Sequence, residues 1–239
     1  STATFSADPA GGNNNIGVGD VLEYPASSPT AVAFITGRVN STTYYVQSQT
    51  GAAPTAASAG TAVNIFRAHT SLDGWEDQNE AGVNATINAA VDEYVLLPST
   101  NLTTNDNIAM AAFYADGADT TAVAISGWTT SADNYINIYT PTETTEVGAS
   151  QRHDGKWDTT SAYRLEVTNP YFVLSVYEDY VRIDGLQIGI VGASADGGYG
   201  IGSESLSLGD TTDIRISNNI IRRTSPNAYN ASGIYFDKG

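Results

Sequence analysis

Cysteine is absent from the 239 residues. That excludes disulfide staples, thiolate nucleophiles and thiolate-ligated zinc, and a chain of this length can bury a core without them. Basic residues are scarce: 10 Lys+Arg stand against 26 Asp+Glu, a formal net charge of −16. This balance argues against nucleic acid or an anionic membrane as an electrostatic partner, while an acidic surface attracts divalent cations. No apolar run approaches the roughly twenty residues of a spanning helix, so no membrane span is expected. The chain opens on Ser1 without an apolar leader segment, which reads either as a mature, processed chain or as a trimmed one. Thr, Ser, Ala, Asn and Gly dominate what remains. That composition is common in surface and fibre proteins, and an extracellular or cell-surface location is the expectation. Asn40, Asn84, Asn101 and Asn230 stand in Asn-x-Ser/Thr sequons, acceptors for glycans in a secreted protein.

The first third consists of short β-branched and aromatic runs divided by Gly, Pro and Ser: "IGVGDVLEY", "AVAFITGRV", "TYYVQSQ" and "TAVNIFRA". Four strands in this span predict a small antiparallel barrel or sandwich over residues 1–68, with an N-terminal arm that pairs with its own chain or reaches a neighbour. "GDVLEY" followed by "GRVNSTTYYVQ" is similar to SH3-like barrels.

Residues 69–98 carry the only helical pattern. Thr70 or Ser71 is an N-cap candidate, and Asp73, Glu76 and Asp77 lie in the first turns, where the helix dipole favours negative charge. Ile87, Ala90, Val91 and Tyr94 form an i, i+3, i+4, i+7 stripe. Two short amphipathic helices are predicted, broken at Gly82 and laid across something that needs covering.

From residue 99 onward strand and turn signals alternate, which fits a sandwich or a solenoid. A repeat decides between them. "VRIDGLQI" (181–188) aligns with "IRISNNII" (214–221), and Gly200-Ile201 aligns with Gly233-Ile234, both at an offset of 33 residues (214 − 181 and 233 − 200). Strands coiling at a fixed period stack like side chains in rows. The Asn218-Asn219 pair marks a corner between two strands, with Gly185 at the place of Asn218 one repeat earlier.

"YVRIDGLQI", "IRISNNIIRR" and "GIYF" resemble the right-handed parallel β-helix superfamily, the pectate-lyase-like fold. The resemblance implies an all-β chain: triangular coils over 99–239, a helical cap at their N-terminal end over 69–98, and the small β-barrel or sandwich domain in front. "SGWTTSADNYINIYTP", "QRHDGKWD" and "YRLEVT" look like the early coils of such secreted proteins. The superfamily hosts lyases, hydrolases, adhesins and phage spikes, so it implies no single activity.

Candidate chemistry is sparse. "QRHDGKWD" (151–158) holds the densest polar cluster; His153, Asp154 and Trp157 are binding candidates, against a long turn with Trp157 packed on the coil and the charges solvated. Arg182 and Arg215 fall at equivalent outward positions, with Asp184 nearby. The resemblance implies an arginine base beside calcium-bound carboxylates in lyases of this fold, but Asp184 becomes Ser217 one repeat on and no acidic cluster accompanies the arginines. The competing reading is an arginine row paired with Asp213 or Asp179. Asp116 and Asp119 in "ADGAD" are the candidate metal ligands, for calcium, although two carboxylates make a poor site. "SADGGYGIGSES" is Gly-rich without a following helix and reads as an insertion between strands. Of the 14 tyrosines, Tyr45, Tyr171, Tyr177 and Tyr199 are among those that would form a sugar-stacking surface if exposed.

The expectation is thus a non-catalytic extracellular structural or surface protein, such as a filament or fibre subunit. The coils stop just after a repeat begins, which fits a chain continuing beyond Gly239, a short last coil covered by a loop, or an end that docks on another subunit. In the last case self-association would run through the N-terminal arm or domain and the open solenoid end, with no cofactor beyond calcium and with glycans as the other partner class. The alternatives are a polysaccharide lyase or glycoside hydrolase acting on acidic glycans through Arg182, Arg215 and Asp184, and a receptor-binding spike or adhesin.

Overall fold

A computed structural model describes residues 1–12, 15–26, 30–192, 198–203, 213–224 and 231–237. The chain divides into two compact units, Ser1–Pro98 with Pro141–Ser150, and Ser99–Thr140 with Gln151–Gly239.

In the first unit, β1 (Thr2–Thr4), β2 (Asp20–Pro25), β3 (Thr30–Asn40), β4 (Thr43–Gln47) and β5 (Asn64–Arg67) form one antiparallel sheet in the order β1-β4-β3-β2-β5. The N-terminal arm pairs with its own chain, Ala3 opposite Tyr44. The described strands of this unit make a single sheet. Its two faces are both covered. Leu22, Tyr24, Ala33, Ile35, Tyr44 and Val46 bury together on one side. On the other, Val21 is packed with Val83, Ile87, Val91 and Val95. Pro141–Ser150 returns to this unit, where Arg38 N–H donates to Thr145 O (2.6 Å) and Val18 N–H to Glu146 O (3.0 Å).

The segment supplying those four valine and isoleucine positions is not the helix pair expected over residues 69–98. It holds one five-residue α-helix, α1 (Leu72–Glu76), capped by the Ser71 hydroxyl, and two 3-10 turns, Glu80–Gly82 and Asp92–Val95. The apolar period is 4 rather than 3.6 because the chain runs as consecutive turns. Ile87 N–H donates to Asn84 O and Val91 N–H to Asn88 O, each at 2.9 Å. Asn84 and Asn88 also accept, through their side chains, from the N–H groups of Thr86 and Ala90. Asparagine competes with helix through these local bonds, so "NATI" and "NAAV" each close a turn that drops one apolar residue onto the sheet. Ala90 and Tyr94, placed on the predicted stripe, are exposed.

The second unit contains twelve strands: β6 (Ala109–Ala112), β7 (Ala118–Asp119), β8 (Val123–Ile125), β9 (Ile136–Tyr139), β10 (Arg164–Thr168), β11 (Phe172–Val176), β12 (Val181–Asp184), β13 (Gln187–Val191), β14 (Gly198–Ser203), β15 (Ile214–Ser217), β16 (Ile220–Arg223) and β17 (Ala231–Phe236). They form three parallel four-stranded sheets, β6-β9-β12-β15, β7-β10-β13-β16 and β8-β11-β14-β17. The chain visits the sheets in strict rotation, giving four circuits. The unit is all-β with parallel sheets. Gly198–Ser203, in the stretch read as an insertion, is a fully buried strand; residues 193–197 and 204–212 lie outside the described residues.

The repeat is recovered in the registers Val181↔Ile214, Ile188↔Ile221 and Ile201↔Ile234. The period of 33 belongs to the last two circuits only. On the β6-β9-β12-β15 sheet successive offsets are 27, 45 and 33 residues (136 − 109, 181 − 136, 214 − 181). Inward rows are apolar and closed: Ile136, Ile138, Val181, Ile183, Leu165, Ile188, Leu174 and Ile201 are all 0% exposed.

The Asn-Asn corner works as a pair. Asn218 takes the left-handed conformation (φ 53°), as Gly185 does one circuit earlier (φ 84°). Asn219 turns its amide toward the previous circuit, donating to Ile183 O (2.9 Å) and accepting from Leu186 N–H (2.8 Å).

Candidate functional site

Alternation on β12 and β15 aims Arg182 and Asp184, then Arg215 and Ser217, away from the apolar rows. Register makes two neighbouring rows on this face. One runs Met110, Asn137, Arg182, Arg215; the other Ala112, Tyr139, Asp184, Ser217. The three residues proposed for lyase chemistry therefore share one face, but their bonds differ.

Arg215 is held by Asp213 through both carboxylate oxygens, with Nε at 2.9 and 3.0 Å and an Nη2 contact of 2.7 Å. That pair lowers the Asp213 pKa and raises that of Arg215. Arg182 has no hydrogen bond or ion pair among the described residues; its guanidinium lies over the Tyr135 ring, 3.3 Å from the centroid. Cation–π stacking orients the fork and leaves its N–H donors outward. Asp179, the other carboxylate considered for the row, has a buried Oδ1 without a hydrogen-bond partner.

Asp184 is occupied. Ser217 Oγ and Asn218 Nδ2 both donate to its Oδ1 (2.7 Å each), and Arg152 Nη2 pairs with Oδ2. Burial pushes the Asp184 pKa up; hydrogen bonds from Ser217 and Asn218 and the Arg152 charge outweigh it, and the net shift is downward. A carboxylate with both oxygens engaged and a lowered pKa is a poor general base.

The "QRHDGKWD" loop lies across the neighbouring sheet. Arg222 stacks its guanidinium over Trp157, 3.6 Å from the centroid, while Glu166 accepts from Arg222 (2.9 Å) and Arg164 (3.0 Å). Gly189 stands between Glu166 and Arg222 in register, and a Cβ there would meet Glu166 at 2.9 Å and Trp157 at 3.2 Å. Buried Gln187 fastens the loop end, donating to Asp158 O (2.7 Å) and accepting from Asp158 N–H (2.6 Å). Asp158 accepts from Ser161 and Thr160, and these bonds hold its carboxyl below the usual range. His153 Nδ1 accepts from Gly155 N–H (3.2 Å), its Nε2 is buried without a partner, and Asp154 is exposed. Trp157 is packed on the sheet against Arg222 and Gly189.

The two carboxylates of the proposed calcium pair differ in burial. Asp119 is buried and accepts from the Tyr163 hydroxyl (3.0 Å), whereas Asp116 is exposed. Among the described residues no group of three or more His, Asp or Glu side chains is placed to hold a metal. Of the aromatics, Tyr44 and Tyr199 are buried, and Tyr45, Tyr171 and Tyr177 are exposed. Tyr199 is stacked between Phe172 (4.9 Å) and Tyr235 (4.6 Å) as part of the packing. Asn40, Asn84 and Asn101 each accept from the threonine two residues on, and Asn84 Nδ2 also donates to Arg67 O; Asn230 lies outside the described residues.

Sequence reasoning passed over Arg152, Tyr135 and Gln187. Arg152 stands inside the quoted loop, but its partner is 32 residues away, and no local spacing signals that pairing. No family model, curated protein or solved structure matches the chain.

Proposed function

We propose that the second unit is a right-handed parallel β-helix, and that the chain is a non-catalytic extracellular surface or fibre protein whose solenoid assembles into an extended structure. Three sheets visited in rotation support the solenoid, and parallel crossovers of one hand are overwhelmingly right-handed. The observation that carries the functional reading is the outward face: Arg215 is held by Asp213, and Asp184 by Ser217, Asn218 and Arg152, so two of the three residues considered for catalysis are engaged in holding the structure. Electron microscopy of the purified chain tests the reading: extended assemblies are expected at high concentration, and single particles throughout the concentration range would sink it.

A second reading, action on acidic glycans, is favoured by Arg182 alone, whose oriented and unpaired guanidinium suits a carboxylate. Release of unsaturated uronate or reducing ends, abolished by Arg182→Ala, would overturn the structural reading. The engagement of Asp184 and Arg215 weighs against this alternative.

A further inference from the structure

Three of the four sequons lie among the described residues, and the structure sets one of them apart. Asn40 ends β3 at the turn into β4 and is exposed. Its Oδ1 accepts from the Thr42 N–H (2.9 Å) and the Thr42 hydroxyl (3.1 Å), while its Nδ2 has no hydrogen-bond partner among the described residues. Asn84 accepts the same two bonds from Thr86, but it is half-buried and its Nδ2 donates to Arg67 O (2.9 Å). A sugar on that nitrogen would stand against the backbone at the end of β5. Asn101 is half-buried too, and the middle residue of its sequon, Leu102, is 1% exposed with its N–H donating to Thr129 O (3.0 Å). That sequon is folded into the second unit. Beside Asn40 the surface is open. Register sets Asn40 opposite Thr43, with Tyr45 two residues further along β4 on the same face, and Thr4 and Thr2 of β1 opposite that pair. Two residues of strand span about 7 Å. Tyr45 is 53% exposed, the most exposed large apolar side chain among the described residues.

We propose that Asn40 is an N-glycosylation site and that the first sugars of its glycan lie over the Tyr45 ring. The donor is an oligosaccharide carried on a polyprenyl diphosphate. Asn40 Nδ2 forms a bond to C1 of the first sugar, the bond from C1 to the diphosphate oxygen breaks, the polyprenyl diphosphate leaves, and one amide proton passes to a base of the transferase. The hydroxyl that the sequon requires, that of Thr42, is already bonded to the Asn40 carbonyl oxygen and leaves the nitrogen available. Tyr45 presents an apolar ring face to the C–H side of a sugar and a hydroxyl to its polar rim, and Thr2, Thr4 and Thr43 leave room around it. The proposal rests on the extracellular reading above, because the donor is met on the secretory route. At Asn84 and Asn101 the same modification would oppose the fold, so the folded chain carries its glycan at Asn40.

The test is the full chain secreted from a eukaryotic host behind an added leader, which supplies the donor whatever the natural location. Folded protein is treated with peptide N-glycosidase in heavy-oxygen water, which leaves a labelled aspartate wherever a glycan stood. Peptide mass spectrometry is expected to find the label at position 40 and not at 84 or 101. Thr42→Ala should lose the label at position 40, and Thr42→Ser should keep it. Nitration of Tyr45 by tetranitromethane should be severalfold slower in the glycosylated chain than in Asn40→Gln. Equal nitration rates would overturn the contact between sugar and ring. An unlabelled position 40 in folded, secreted protein, or label at 84 or 101, would overturn the site. Surface labelling of the protein in its source cells separates this from the reading it rests on. A chain confined to the cell interior overturns the extracellular reading, whereas an empty Asn40 in the secreted chain overturns the site alone.

Discussion

Asn219 closes the corner of the circuit before its own: one amide group accepts from Leu186 N–H at 2.8 Å and donates to Ile183 O at 2.9 Å. At the bend between β12 and β13 this side chain meets the Leu186 N–H, and an unpaired polar group of this kind costs about 1–3 kcal/mol. Asn219→Ala is therefore expected to lower unfolding free energy by roughly that amount, read as a shift in urea midpoint at unchanged slope. Asn219→Asp keeps the acceptor but loses the donor, and should fall between wild type and alanine.

Asp184 should behave as a clasp and not as a base. Its folded-state pKa lies below the ordinary carboxylate value, so its contribution to stability is present above about pH 3.9 and is lost as pH falls through the folded value. Asp184→Asn is expected to remove that acid-dependent component and to leave Arg152 held by Thr140 without its carboxylate, making the 151–158 loop easier to cleave by protease at neutral pH. Unchanged proteolysis would show that the clasp does not hold the loop.

In the first unit, Asp20 is 1% exposed, pairs with Arg67 and accepts Gly17 N–H at 2.9 Å. Breaking a buried pair by removing one partner costs about 3–5 kcal/mol, whereas replacing both with apolar groups of like volume is near neutral. Asp20→Ala should thus lower stability by several kcal/mol in a denaturant titration, and Asp20→Leu with Arg67→Met should recover most of the loss.

His69 supplies a pH dependence of the opposite origin. Burial lowers its pKa, partly offset by the carbonyls of Gly82 and Gly74. The unfolded chain then binds the proton first as pH falls, so the stability contribution present above about pH 6.5 declines below it. Urea midpoints at pH 7.5 and 5.5 should differ more for wild type than for His69→Gln. Equal differences would place the titrating group elsewhere.

The strands of the second unit were legible because burial imposes a period of two, and the repeat was legible where two circuits happen to be equal in length. The turn ladder at Asn84 and Asn88 was misread as helix: spacings of 4 and 3.6 cannot be separated over twelve residues, and the asparagine bonds that decide between them are local geometry, not pattern. The outward face was half legible. Arg182 and Arg215 lie in register as expected, but the Arg152 partner of Asp184 and the Tyr135 ring beneath Arg182 depend on a corner excursion whose path no spacing encodes.

The circuits on the β6-β9-β12-β15 sheet take 27, 45 and 33 residues to return to the same row, yet each climbs by one strand spacing, about 4.8 Å. Height is thereby uncoupled from length. Residues can be gained or lost at a corner without moving any stacked isoleucine, so the corners of the second unit are free to drift through insertions while its strand registers stay constant.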